Sequence, residues 1–249
     1  KGNVETSLKL AQNQAIIRMV VCMAFLSVIS LVLYFFTFNI PYMPTFLFVE
    51  FSSVAELIAA IAYGPVFGVL ICVIKDIIHM IIFNTSAVSD FTNMLLDSSF
   101  VFIAGLLYSR SMFYGDKKVV QPEGSKVKDY RRRRIFTSAF SGAIISAVPQ
   151  FLITRYIAYP LLERLYSDRG VTIEYILQNY QVSFDRIMRH LPSAISAVIP
   201  DMDGISKAIV YFNLPVTFLK LFVVTSITAI VYKWISPFLH YRHKDKRRK

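Results

Sequence analysis

Apolar residues in this chain come in long blocks separated by short polar stretches. Crossing a bilayer takes about 20 apolar helical residues. Lipid offers the backbone no hydrogen-bond partners, so such blocks are read as helices. The alternating ten-residue strands of a membrane barrel do not appear. The pattern predicts spans at 16–38, 65–83, 91–108, 135–162 and 215–235, with a shorter apolar helix at 51–63. Gly64-Pro65 both ends that short helix and starts the next one. Pro149 and Pro160 predict bends in the fifth span. Residues 39–50, with Pro41 and Pro44, read as a loop, and 84–90 as a polar turn. The stretch 163–206 is mixed, partly amphipathic and too polar to span, so it reads as a long loop. The chain thus divides into an N-terminal segment 1–15, a six-helix membrane domain 16–239 and a basic tail 240–249.

Composition agrees. Of 249 residues, 55% are hydrophobic, and the mean hydropathy is +0.51. The expected class is an all-α integral membrane protein in one domain. The net charge is +11, from 27 basic and 16 acidic residues. In a soluble protein that excess suggests nucleic acid. Here nine Lys or Arg fall in the loop 109–134, and more fall in the tail, so they orient the chain instead. Basic loops stay in the cytoplasm. Both clusters, and the N-terminus with Lys1, Lys9 and Arg18, are therefore expected on that side. The loops 39–50, 84–90 and 163–206 are expected outside. Tyr232 and Trp234 fit an interfacial belt on the inner side. No leader with a small-residue cleavage site precedes the first span, which is expected to remain as an anchor. Cys22 and Cys72 lie in apolar segments with no disulfide or metal spacing.

Charges inside spans are costly and mark functional sites by default. Glu56 falls near the outer end of the short helix. Lys75, Asp76 and His79 fall in the outer half of the third. Asn93 and Asp97 occupy the first two turns of the fourth. Thr154 and Arg155 lie toward the outer end of the fifth, and Thr217 and Lys220 near the outer end of the last. Lys75 and His79 share a face at i and i+4, with Asp76 about 100° away. Lys220 sits among Phe218, Leu219, Leu221 and Phe222, where lipid has nothing to solvate it. The inner halves hold almost nothing ionisable except Lys233, which can snorkel to the surface. A channel would carry polar groups along its length. This asymmetry predicts an outward-facing polar pocket on an apolar floor, suited to capturing a small solute. Hydrolase, zinc-protease and phosphate-loop motifs are missing, so no catalytic residue and no cofactor of its own are expected. Asp201-Met202-Asp203-Gly204 reads as a plain turn.

Three runs then carry a resemblance. Phe51-Ser52-Ser53-Val54-Ala55-Glu56-Leu57-Ile58 leads into Tyr63-Gly64-Pro65-Val66-Phe67-Gly68 and Ile74-Lys75-Asp76-Ile77-Ile78-His79. Asn93-Met94-Leu95-Leu96-Asp97-Ser98-Ser99-Phe100 opens the fourth span. Asn213-Leu214-Pro215-Val216-Thr217-Phe218-Leu219-Lys220 begins the last, which runs to Val231-Tyr232-Lys233-Trp234-Ile235-Ser236-Pro237. Together they resemble the S components of energy-coupling factor (ECF) transporters, of the riboflavin type, over roughly 16–162 and 207–239. The resemblance implies a six-helix subunit in a bacterial cell membrane that captures a vitamin at the outer face. It implies a transmembrane coupling subunit and two cytoplasmic ATPases as partners, and toppling in the membrane to release ligand inside. Ser53 stands where that type carries Asp, and Asp76 where it carries Asn. Thr217 and, by rough alignment, Thr154 replace flavin-contacting Asn residues, and Leu221 replaces a Gly. Lys220 keeps the type's Lys.

The resemblance implies that Lys220 and Thr217 face a flavin ring. Thr154, Arg155, Asn93, Asp97, Lys75, Asp76, His79 and Glu56 would complete the pocket. Lys75, Arg155 and Lys220 also admit a flavin phosphate. One alternative keeps the subunit type and changes the ligand to another vitamin or a nucleobase-like solute. Another is a membrane enzyme acting on lipid headgroups through Asp76, His79 and Asp97.

Overall fold

A computed structural model describes residues 2–44, 46–83, 86–115, 125–190 and 204–239. The tail 240–249, the middle of the basic loop (116–124), the stretch 191–203 and residues 84–85 lie outside the described residues.

The chain opens with helix α1 (Gly2–Tyr34). A two-stranded antiparallel ribbon follows, β1 (Phe38–Asn39) against β2 (Phe48–Val49), with Phe38 opposite Val49. Then come α2 (Ser53–Tyr63) and α3 (Pro65–Phe83), joined at Gly64, whose φ of +110° is open only to glycine at low cost. Helix α4 is Ala87–Gly115 and α5 is Ser125–Ile153. A π turn, Thr154–Ala158, leads into α6 (Tyr159–Tyr166) and a 3-10 turn, Ser167–Arg169. Helix α7 is Ile173–His190 and α8 is Ile205–Ala208. A second π turn, Ile209–Asn213, leads into α9 (Leu214–Leu239).

Five helical stretches among the described residues are long and apolar enough to cross a membrane: Gln12–Tyr34, Pro65–Phe83, Ala87–Ser111, Arg132–Arg169 and Ile205–Ser236. The shorter apolar helix is Ser53–Tyr63. Helix α2 is buried almost throughout, with Leu57, Ala59 and Ala60 fully enclosed by α1, α3, α4 and α9. The long helices instead turn apolar side chains outward. Ile16, Ile17, Val20, Val21, Phe25 and Val28 of α1 are all exposed. In water such a stripe would be a liability, and in lipid it is the solvated surface.

Away from the ribbon, glycines bring the helices together. A Cβ on Gly68 would stand 2.5 Å from Val101 Cγ1 and 2.7 Å from Ala60 Cβ. One on Gly142 would stand 2.8 Å from the Cα of Ala104. The backbones of α2, α3, α4 and α5 therefore touch with no room for a side chain between them.

Several boundaries differ from those the sequence pattern predicts. Helix α4 starts four residues earlier than expected, because Ser86 caps it: the Asp90 N–H donates to Ser86 O at 3.1 Å and the Ser89 N–H reaches Ser86 Oγ at 3.4 Å. Helix α5 runs through Pro149 without ending. The irregularity comes instead just before Pro160, as a π turn, and again just before Pro215. Proline lacks an N–H and crowds the carbonyl four residues back, so the helix widens by one residue. The Tyr159 N–H reaches back to Thr154 O, and the Leu214 N–H to Ile209 O. The stretch 163–206 is largely helical where described. Ile173, Ile176, Leu177, Tyr180, Phe184 and Ile187 make α7 amphipathic, and this face packs on a second apolar cluster with Ile205, Ala208, Ile209 and Phe212.

Candidate functional site

Beneath the ribbon lies a network of buried ions contributed by six elements. Lys75 of α3 is fully buried. Its ammonium lies 3.1 Å from Glu56 Oε1, 3.3 Å from Asp76 Oδ1 and 3.4 Å from Asp97 Oδ2, and it donates to Ser52 Oγ at 3.0 Å. It also sits 5.2 Å from the centre of the Tyr34 ring. Asp97 of α4 is shared: its Oδ1 accepts from Lys220 of α9 at 2.8 Å and from Ser53 Oγ at 3.0 Å. Lys220 also pairs with Glu50, which follows β2, and Glu50 Oε2 accepts the Ser52 N–H at 2.6 Å. Ser30 of α1 closes the set by donating to Glu56 Oε1 at 2.9 Å. Charges this deep survive only when paired and hydrogen-bonded. His79 lies further along α3, stacked near Tyr34 and Phe83, with Nδ1 3.1 Å from Asp90 Oδ1.

Against this network, at the ribbon end, opens a cavity of about 550 Å³. Its walls are the ribbon connection (Phe46 to Phe48), the first turns of α4, the end of α5 with its π turn, α6, the start of α7 and the first two turns of α9. From the end of the second π turn comes Asn213 and from α9 come Val216, Thr217, Lys220 and Leu221, at i, i+3, i+4, i+7 and i+8, which is one helix face. The volume suits a ligand the size of a small vitamin. Two charged residues line it, Asp97 and Lys220, and they are paired with each other.

The predicted residues sort into two groups. Thr217, Lys220, Thr154, Asn93 and Asp97 line the cavity. Asn93 donates to Tyr34 OH at 3.2 Å. Lys75, Asp76, His79 and Glu56 stand behind the wall, where they hold α2, α3 and α4 in register. Arg155 points away: its Nε donates to Ser206 Oγ at 3.1 Å and its guanidinium lies 5.8 Å from the centre of the Tyr156 ring. It is off the wall because neighbouring helical residues point about 100° apart, and Thr154 takes the face that lines the cavity. The combination of Lys75, Arg155 and Lys220 as free cations is therefore not what the structure presents. Two are consumed by carboxylates and the third is elsewhere. Asp76, His79 and Asp97 also fall apart as a catalytic set, since His79 pairs with Asp90 and both acids face Lys75. Among the described residues no three His, Cys, Asp or Glu converge to hold a metal.

Four residues were not foreseen. Glu50 fell in a segment read as loop. Gln150 and Asn213 each sit one turn before a threonine that was singled out, Thr154 and Thr217, and that spacing was the available signal. Tyr159 joins them on the wall. Its hydroxyl hydrogen-bonds that of Tyr180 on α7, Tyr180 donates to Asn213 Oδ1, and Asn213 Nδ2 donates back to Tyr159 OH at 3.1 Å. Burial holds the Tyr180 hydroxyl above its ordinary pKa, so it remains a donor.

Residues 18–232 match the family described as "ECF transporter, substrate-specific component". The riboflavin transporter RibU of Staphylococcus aureus (strain TCH60) is 32% identical over 106 residues, 43% of this chain and 54% of that protein. The riboflavin transporter FmnP of Bacillus subtilis (strain 168) is 29% identical over 97 residues, 38% of this chain and 51% of that protein. The chain spans about half the length of these curated relatives. A solved structure titled "Structure and mechanism of the S component of a bacterial ECF transporter" superposes with a TM-score of 0.55 at 21% identity, covering 92% of this chain and 98% of that one. That likeness is one of fold.

Proposed function

Because the chain belongs to the ECF transporter substrate-specific components, we propose that it is the capture subunit of a bacterial vitamin importer and that its ligand is riboflavin or a close neutral relative. The ribbon end faces outward in this reading, since Arg110, Arg132 and Arg133 lie at the opposite end. Ligand enters beneath the ribbon connection and rests against Lys220 and Asp97. A transmembrane coupling subunit and two ATPases then drive its release to the cytoplasm, and the chain itself performs no chemistry.

One observation carries the choice of a neutral ligand: the only charged groups on the cavity wall, among the described residues, cancel each other. A phosphate placed there would lose its hydration and gain no free cation. The riboflavin transporters among its relatives support the flavin. Thr154 and Thr217, standing where riboflavin-type members carry amides, favour a second neutral heteroaromatic vitamin as the alternative. A hydroxyl matches fewer of the donors and acceptors on a flavin edge than an amide does.

The test is titration of the purified protein in detergent with riboflavin and then flavin mononucleotide, followed by flavin fluorescence. Saturable 1:1 quenching by riboflavin is expected. No quenching by riboflavin sinks the flavin assignment and leaves the family intact.

A further inference from the structure

Gln150 is the innermost residue that α5 contributes to the cavity, and its amide is only partly used. The side chain is 4% exposed. Its Nε2 lies 3.5 Å from the carbonyl oxygen of Leu96 on α4, at the outer limit of a hydrogen bond. That contact fixes which way the amide faces. A backbone carbonyl only accepts, so the NH2 end turns to Leu96 and the oxygen turns away from it. Oε1 has no hydrogen-bond partner among the described residues. It is also not sealed into the packing, and the open space that the residue meets is the cavity it lines.

Helix packing has no use for a bare amide oxygen here. A desolvated acceptor without a donor gives up its hydration and gains nothing. Methionine would fill nearly the same volume without that cost. The polar groups around Gln150 are closed pairs by comparison. Ser146, one turn deeper, donates to Ala143 O at 2.9 Å. Asp97, which follows Leu96, has its Oδ1 taken by Lys220 and Ser53 and its Oδ2 facing Lys75. Against these, Gln150 leaves an acceptor open at the cavity floor.

We propose that Gln150 is a specificity residue that reads the innermost part of the ligand, its Oε1 accepting a hydrogen bond from an N–H or O–H there. This rests on the capture function proposed above and deepens it. The ligand class follows. Its inner end carries a hydrogen-bond donor, such as a ring lactam N–H or a hydroxyl of a polyol chain. An inner end made only of acceptors, or one capped by alkylation, leaves the amide oxygen desolvated and is rejected. Thr154, one turn outward on the same face, does not discriminate in this way. A hydroxyl rotates to donate or to accept, whereas an amide oxygen only accepts.

The experiment titrates wild type, Gln150→Leu and Gln150→Met, as full chains in detergent, with three ligands. Riboflavin has both kinds of donor. N3-methylriboflavin lacks the ring N–H, and lumiflavin lacks the hydroxyl chain. Both variants should bind riboflavin about tenfold more weakly than wild type, the worth of one hydrogen bond, with thermal midpoints within a few degrees of it. The tenfold effect should vanish with the analogue that lacks the donor Gln150 reads. Its loss with N3-methylriboflavin assigns the partner to the ring N–H, and its loss with lumiflavin assigns it to a hydroxyl. A structural role would weaken all three ligands by the same factor, and that result overturns the inference. Unchanged riboflavin binding by the variants overturns it too. Equal affinity of wild type for all three ligands does so with no variant needed. If wild type binds no riboflavin, the flavin assignment falls separately, and uridine and inosine, each with a lactam N–H and hydroxyls, take its place. Saturable binding of either that Gln150→Leu weakens about tenfold upholds the reading of Gln150. Binding that the variant leaves unchanged, or binding of neither, overturns it.

Discussion

Asp97 Oδ1 and Lys220 Nζ meet at 2.8 Å across the gap between α4 and α9, while the other Asp97 oxygen faces Lys75 at 3.4 Å. One carboxylate thus serves two ammonium groups that lie on different helices, and it forms part of the cavity wall while doing so. The cavity and the helix scaffold share an atom group, and perturbing one is expected to register in the other.

The first consequence concerns Lys75. Lys75→Met leaves Glu56, Asp76 and half of Asp97 buried without their cation. Breaking one partner of a buried pair costs about 3–5 kcal/mol. The variant should show a much lower midpoint of thermal unfolding in detergent, although Lys75 does not itself line the cavity. An unchanged midpoint would show that the network is not what holds α2, α3 and α4 together.

Glu50 and Lys220 allow the neutrality argument to be inverted. Glu50→Gln removes one of the two carboxylates that occupy Lys220. The lysine should then have charge to offer, and flavin mononucleotide should gain affinity relative to riboflavin by about tenfold. Wild type should prefer riboflavin by at least that margin. Titrations of both ligands against both proteins measure the shift, and a constant ratio would remove the electrostatic basis for a neutral ligand.

Gly68 tests the opposite end of the bundle. Gly68→Ala introduces a methyl 2.5 Å from Val101 Cγ1 and 2.9 Å from the Glu56 carbonyl oxygen. Overpacking of this kind costs about 1–3 kcal/mol. Thermal unfolding should register the loss, and Val101→Ala in the same chain should recover only part of it, because Ala60 and the Glu56 carbonyl remain.

Pro215 is expected to separate stability from binding. Pro215→Ala restores an N–H that can donate to Tyr211 O, so the π turn is free to relax into α-helix. Relaxation would swing Asn213 about 100° around the axis and off the wall. Ligand affinity should fall by about tenfold, with the thermal midpoint unchanged or raised. Loss of both together would mean the turn serves packing alone.

Much of this was legible beforehand. Blocks of apolar residues located the five long helices and the short one, because lipid forces a simple rule on composition. Lys220 and Asp97 stood out for the same reason: a charge surrounded by Phe and Leu needs a partner. The partner itself was not legible. Glu50 comes from a loop with no period, and the 170 positions between it and Lys220 are closed only by the fold. Arg155 illustrates the reverse failure. It was placed by depth alone, and depth does not say which face of the helix a residue takes: next to Thr154 it falls about 100° around the axis and turns to Ser206. The amphipathic pattern of α7 was present in Ile173, Ile176, Tyr180 and Phe184, but its charged outer face lowered the mean enough to make the stretch look like loop.

The glycine contacts carry a last consequence for throughput. Gly68, Gly105 and Gly142 bring their helices against neighbours with no room for a side chain in the half of the bundle away from the ribbon, which is the packing of a cup and not of a pipe. A pipe passes many solutes each time it opens, and its traffic depends on how long it stays open. A cup holds one occupant and delivers it only by rearranging or being moved. In the proposed capture role, traffic would be counted one solute per cycle, and no gradient of solute alone would make it run faster than its cycle turns.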